Sequence, residues 1–298
     1  MTNEMRGVAA IVAACTIWGL SGLYFDGISH VGPLEVLSHR VIWSLAFFIL
    51  LFTLQKRLPE FRAAFSQPRR LGRIGLAAIA VSANWFGYIW AIQNGHATEA
   101  SMGYYIFPLV AVAMGYFAFG ERFSPLQRTA IALALGAVLV LTLQLGTPPW
   151  IALILAASFG TYGLIKKALP LGPVLSVGVE TALLLPLALG FLIWQGTAGR
   201  LVAVTPGDVA YLMLSAGFTG VPLVLFSYAS RRLAYATLGL VQYMNPTLQF
   251  VIAMIYFGEP FGPAQALAFP LIWAGVALYC VDLWRRDRAA RRLPPAQL

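Results

Sequence analysis

Apolar runs as long as a bilayer is thick recur from one end of this chain to the other, and they leave little freedom in its fold. About 20 consecutive apolar residues cross the hydrocarbon core as an α-helix. The sequence holds ten such runs, near residues 7–28, 34–56, 72–94, 98–119, 125–145, 149–166, 171–194, 208–230, 235–257 and 262–284. Of its 298 residues, 59% are hydrophobic and 10% charged, where a soluble chain carries about 25% charged residues. No water-soluble core absorbs that much apolar sequence, so its surface faces lipid. The expected fold is an all-α integral membrane protein of ten transmembrane helices.

The net charge of +9 does not make the chain a nucleic-acid binder, because its basic residues sit in the short gaps where they set membrane orientation. Arg6 precedes the first run, and Lys56, Arg57, Arg62, Arg69, Arg70 and Arg73 lie around the second gap. Arg122, Arg128, Lys166, Lys167, Arg231, Arg232 and five arginines from Arg285 to Arg292 complete a set of eighteen. If ten helices alternate, all eighteen share one face. The opposite face has Arg200, and Arg40 falls inside the second run. By the positive-inside rule both termini are cytoplasmic. The first run, with its Trp and glycines, is expected to be a retained helix and not a cleaved signal peptide. Cys15 and Cys280 lie in the first and last runs as free thiols, with neither disulfide nor metal spacing.

The phrase FGERFSPLQ at residues 119–127 returns as FGEPFGPAQ at residues 257–265, 138 positions on and identical at six of nine places. Tyr105 and Pro108 match Tyr243 and Pro246 at the same offset. At slightly larger offsets Trp18 aligns with Tyr162 and Glu35 with Glu180. The expected organisation is a first five-helix repeat over residues 1–146, a second over 147–285 and a basic cytoplasmic tail over 286–298. Five is odd, so the second copy enters the membrane inverted. Arg122 and Arg128 hold the first copy's loop in the cytoplasm, whereas Pro260 and Ala266 carry no charge to hold the second there. Inverted repeats suit alternating access to a central site.

Polar residues mark where such a site would lie. Pro108 and Pro246 fall mid-helix, where proline removes a hydrogen bond at a cost of roughly 3 kcal/mol and frees the carbonyls of Tyr104 and Gln242. Such groups need protein, water or ligand as partner, so the pair reads either as packing kinks or as hinges beside a cavity. Gln242, Asn245 and Gln249 share one helical face, opposite Tyr104, Tyr105 and Phe107. Asn84 with Tyr88, Trp18 with Ser21, and Tyr162 with Ser158 form further stripes. Each aromatic taken alone is core packing or an interfacial anchor; together they suit an amphipathic solute. The intramembrane charged or titratable groups Glu35, His39, Arg40 and Glu180 admit two readings. Glu35 or Glu180 carries a coupling proton and Arg40 attracts a carboxylate, or Asp26 pairs with Arg40 and the two glutamates bond across helices.

The set IWGLSGLYF, SHRVIWS, the Asn84–Trp85 pair, EASMGYYIFPLV, FGERF, ETALLLP and LGLVQYMNPTLQF resembles the RarD group of the EamA-type drug/metabolite transporters along nearly the whole chain. That group often has Asn before the proline of the fourth helix, where this chain has Phe107; Asn245 keeps the equivalent amide. The resemblance implies two inverted five-helix repeats around a central cavity, no cofactor, and export of small metabolites across the bacterial inner membrane. Its YddG-type relatives export aromatic and other neutral amino acids, and the RarD name is associated with chloramphenicol sensitivity. Neutral and aromatic amino acids are therefore the expected substrates, with broad drug or metabolite efflux as the alternative. The sequence contains no HExxH zinc motif, no Ser-His-Asp grouping and no GxxxxGK[ST] phosphate loop, which speaks against a membrane enzyme or ATP-driven pump.

Inversion makes a direct prediction. In a background lacking Cys15 and Cys280, an impermeant maleimide applied to intact cells should label Glu259→Cys but not Glu121→Cys. Labelling of both from one side would overturn the inverted arrangement.

Overall fold

The computed structural model describes residues 3–119, 124–145, 148–167, 169–201, 205–230, 232–233 and 241–292. Their regular structure is helical throughout. The first run is split at Leu20 into α1 (Asn3–Gly19) and α2 (Ser21–Asp26). There follow α3 (Pro33–Leu54), a short α4 (Leu58–Ala63), α5 (Pro68–Gln93) and α6 (Ala97–Phe119). The chain continues with α7 (Pro125–Leu145), which closes the first half, and with α8 (Trp150–Lys167), α9 (Pro173–Thr197) and α10 (Pro206–Ser230). After α11 (Met244–Ile255), α12 (Pro263–Arg292) ends the described chain. Among the described residues, seven helices are long and apolar enough to cross a membrane. At about 1.5 Å per residue, the 22 residues of α3 match the hydrocarbon thickness.

Helix starts follow a common chemistry. Six of the helices begin on a proline, at Pro33, Pro68, Pro125, Pro173, Pro206 and Pro263. Proline suits that position because the amide it lacks would have had no intrahelical acceptor. Ser124 and Gln127 close a capping box at α7, each side chain bonding the other's backbone N–H at 3.1 Å. Thr205 and Asp208 do the same at α10.

These caps explain the duplicated phrase. Gln265 stands at the place of Gln127 and accepts from the Gly262 N–H at 3.1 Å, half of the same box at α12. Gly258 adopts a left-handed φ of 62°, which turns the chain out of α11 at no side-chain cost. Glu259 then reaches across to the start of α6 and accepts from the amides of Ala97, at 2.5 Å, and Thr98, at 2.7 Å. The first-copy residues Glu121 and Arg122, like Arg231, lie outside the described residues.

The bundle packs in pairs that link its two halves. α7 lies along α12, α6 along α8, α3 along α9 and α5 along α8, while α10 packs on both α1 and α3. α11 crosses α6 and α1. Where α6 meets α8 the backbones approach closely: a Cβ on Gly103 would stand 2.8 Å from the Ala152 carbonyl and 2.9 Å from Leu155 Cβ. Small residues at such crossings give helices in lipid their van der Waals contact. The outside of the bundle is apolar, with Leu54 73%, Leu143 81%, Leu187 69% and Ile255 80% exposed. Distributed over α3, α7, α9 and α11, they form a surface that water would not tolerate and lipid does.

Two features depart from the expected outline. The stretch expected as one helix over 235–257 is interrupted at Tyr243, a turn residue between helical Val241–Gln242 and α11. The cause is Pro246, which has no amide for the Gln242 carbonyl. The last helix runs on to Arg292, through much of the segment expected as a tail; its Arg-rich stretch needs no cap change to stay helical, since Arg and Ala are good helix formers.

Gly103→Leu should force α6 and α8 apart. The expected outcome is a loss of about 1–3 kcal/mol, as for other overpacked cores, read as a lowered Tm of the detergent-purified protein; an unchanged Tm would contradict this close approach.

Candidate functional site

Three polar constellations lie among the packed helices. The first joins α1–α2, α5, α6 and α8 around Asn84, which is buried on α5. Its Nδ2 donates to the Leu155 carbonyl at 3.0 Å and to Ser158 Oγ at 3.3 Å, and its Oδ1 accepts from Tyr104 Oη at 2.9 Å. The buried Tyr88 ring meets Tyr104 edge-on at 5.8 Å, and its hydroxyl lies 3.3 Å from Ser21 Oγ, within hydrogen-bond reach. Ser21 donates to the Trp18 carbonyl at 2.6 Å, where the first run breaks. The Asn84 amide uses both ends on protein, so it fixes the facing tyrosine in place.

The second constellation is ionic. Glu180 of α9 is 1% exposed and accepts from Lys166 Nζ at 2.6 Å, from Ser176 Oγ at 2.9 Å and from Tyr162 Oη at 3.1 Å. The Lys166 ammonium also stands 5.2 Å from the centre of the Tyr162 ring. Counter-charge and hydrogen-bond donors together offset the desolvation of a buried ion pair. Phe159 connects the two constellations, lying 6.2 Å from Tyr104, 5.7 Å from Tyr162 and 4.8 Å from Phe107.

The third lies on the opposite flank of α6. The Tyr105 and Thr247 hydroxyls bond at 2.7 Å, and Tyr105 stacks on Tyr243 at 6.5 Å and meets Phe269 edge-on. Tyr243 Oη is enclosed with no hydrogen-bond partner among the described residues. Asn245 accepts from Gln249 Nε2 at 3.1 Å, leaving Gln249 Oε1 enclosed, and Gln242 is half-buried just before the break.

The residues expected to form one wall are thus dispersed. Asn84, Tyr88, Tyr104 and, through Phe159, Tyr162 come together; Tyr105, Tyr243 and Asn245 gather at the α6–α11 crossing; Trp18 packs against Phe226 at 6.3 Å. Of the hinge prolines, Pro246 is buried beside the helix break, and Pro108 falls within α6 with its side chain outside the described residues. Glu35 is buried and His39 half-buried on α3. Arg40 does not pair with Asp26: its Nε donates to Thr219 Oγ1 at 2.8 Å, and Asp26 lies 3.5 Å from Tyr256 Oη. Glu180 bonds Lys166, Ser176 and Tyr162. Lys166, expected as an orienting loop residue, closes a buried ion pair. Phe159 also goes unmarked in the sequence, where one more Phe in an apolar run carries no signal. Among the described residues no group of three or more His, Cys, Asp or Glu could hold a metal.

The model of the EamA-like transporter family matches twice, over residues 5–143 and 148–281. The chain belongs to the EamA-like transporter family. It is similar to the Protein RarD of Streptomyces exfoliatus, 41% identical over 97% of this chain and 93% of that one. The Protein RarD of Escherichia coli (strain K12) is 36% identical, covering 93% and 94% respectively. A Chloramphenicol-sensitive protein RarD of Pseudomonas aeruginosa is 30% identical over 96% of this chain and 97% of that one. A solved structure titled "Crystal structure of protein" shares the fold with a TM-score of 0.60, covering 96% of this chain and 98% of that one at 19% identity. The chain is a RarD-like membrane transporter of the drug/metabolite superfamily, as the sequence motifs imply.

The ionic constellation makes a prediction. Lys166→Met leaves Glu180 buried without its counter-charge, which should cost about 3 kcal/mol. Adding Glu180→Gln should recover most of the lost Tm; a double variant no more stable than Lys166→Met would show that the pair is not coupled.

Proposed function

We propose that this transporter exports small amphipathic metabolites, neutral and aromatic amino acids foremost, from the bacterial cytoplasm across the inner membrane. The observation that carries the reading is the Tyr88–Tyr104–Asn84–Ser158 constellation, with Phe159 and Tyr162 beside it, where helices of both halves meet. Tyrosine hydroxyls set among aromatic rings, with Tyr104 held in place by Asn84, offer what a solute with an apolar body and a polar end requires. In this reading residues 1–146 and 147–285 are inverted five-helix repeats with both termini in the cytoplasm, and they rock to open a central cavity to each face in turn. The two-fold character of the packing supports it: α3 with α9, α6 with α11 and α7 with α12 each join helices that the duplicated sequence aligns, and α5–α8 is mirrored by α1–α10. Pro246 and the break at Tyr243 supply a flexible point in one of the crossing helices.

The name of the Pseudomonas aeruginosa relative favours a second reading, broader efflux of drug-like solutes. In proteoliposomes loaded with radiolabelled L-phenylalanine, the protein should accelerate efflux several-fold over empty vesicles, in a saturable way. Equal retention with and without protein would sink the amino-acid reading. Unlabelled chloramphenicol competing as well as unlabelled amino acids would transfer support to the broader one, and flux measured with and without a pH gradient reports proton coupling.

A further inference from the structure

We infer that Arg40 anchors a carboxylate on the transported solute, an assignment that rests on the transport function proposed above and narrows its substrates to amphipathic monocarboxylates. Arg40 lies within α3 and is 6% exposed. A guanidinium carries five N–H donors and does not lose its proton. Only Nε is engaged, on Thr219 of α10 at 2.8 Å, so the two terminal nitrogens make no hydrogen bond with the described residues.

No carboxylate among the described residues lies within 4.0 Å of Arg40. What surrounds the cation is aromatic. Its Cζ stands 4.4 Å from the centre of the Trp85 ring and 5.6 Å from that of Phe25, with Tyr24, Tyr88 and Tyr104 at longer range. Ring faces attract a cation, but they accept no N–H in the guanidinium plane. A buried charge without a counter-ion is costly, and the same protein neutralises another deep charge, Glu180, with Lys166 at 2.6 Å. At Arg40 the balance is left open.

The missing partner has a definite chemistry. With Nε tied to Thr219 and one face covered by Trp85, the free edge of the fork offers parallel donors at the spacing of a carboxylate. Beside it, Phe25, Tyr88 and Tyr104 form an edge-to-face series, with ring centres 5.9 Å and 5.8 Å apart. An apolar or aromatic body lies against these rings while its carboxylate meets Arg40. Lysine at this place would keep the charge and lose the planar fork.

The test uses the full-length protein purified in detergent, with ligand-induced shift of Tm as readout. The probes are L-phenylalanine and 3-phenylpropionate against L-phenylalaninamide and 3-phenylpropionamide, with sodium chloride at matched ionic strength. The acids should protect wild type at concentrations at least ten-fold below the amides, Arg40→Gln should lose the difference, and Arg40→Lys should bind the acids about ten-fold more weakly. If Arg40→Gln does not fold, Arg40→Lys and Thr219→Val decide, each expected to weaken acid protection while leaving the amides unaffected. Equal protection by acids and amides, no protection by either, chloride protecting as well as the acids, or undiminished acid protection in the variants would each overturn the assignment. Acid-selective protection without phenylalanine flux in vesicles would sink the export reading and leave the anchor standing. Flux with equal protection by acid and amide would do the reverse.

Discussion

Hydrocarbon offers a peptide group nothing to bond, and the rest of this structure depends on how each backbone amide is otherwise met. Within a helix the chain meets its own. At the ends it does so by three devices: prolines that bring no amide to the first turn, capping boxes at Ser124–Gln127 and Thr205–Asp208, and carboxylates sent from neighbouring segments. Glu99 serves the Ile151 amide at the start of α8 at 3.0 Å, as Glu259 serves the start of α6. Most acidic residues in such a chain would be a burden. These two are placed where partial positive charge collects at helix N-termini.

The same constraint separates the interior charges by kind. Glu180 is surrounded by a full set of donors and a counter-charge, so it belongs to the fold's own stability. Arg40 is held in position by one hydroxyl and one indole face, and its remaining donors face no protein acceptor among the described residues. Asn84 is saturated at both ends and works by orienting Tyr104. Polar groups of similar depth thus do different work, and the difference shows only when each donor and acceptor is counted.

Much of the fold was legible in the residues, because a single physical signal, unbroken apolar length, writes the helices. The run expected at 125–145 coincides with α7, and that at 98–119 begins one residue from α6. Pro246 marked a weak point in its helix, since a missing amide needs no tertiary context to act, but the interruption at Tyr243 was not expected. Small non-membrane pieces such as α4 were illegible, being six residues long and without apolar periodicity. The site was legible as a set of residue types and not as partnerships. Helical stripes place Tyr104 and Tyr105 side by side, yet their neighbouring positions point them to different helices, Asn84 on one flank and Thr247 on the other. Lys166 read as a surface charge because a one-dimensional count cannot see Glu180, fourteen residues away, folded against it.

The duplicated phrase, finally, has a mechanical side. Glu259 belongs to the second half and the amides it grips belong to the first, so this carboxylate is a clasp fastened across the seam. Parting the halves at that end strips two N–H groups of their acceptor at once, and they can be released only into water. Any separation of the helices at that end therefore brings water in with it.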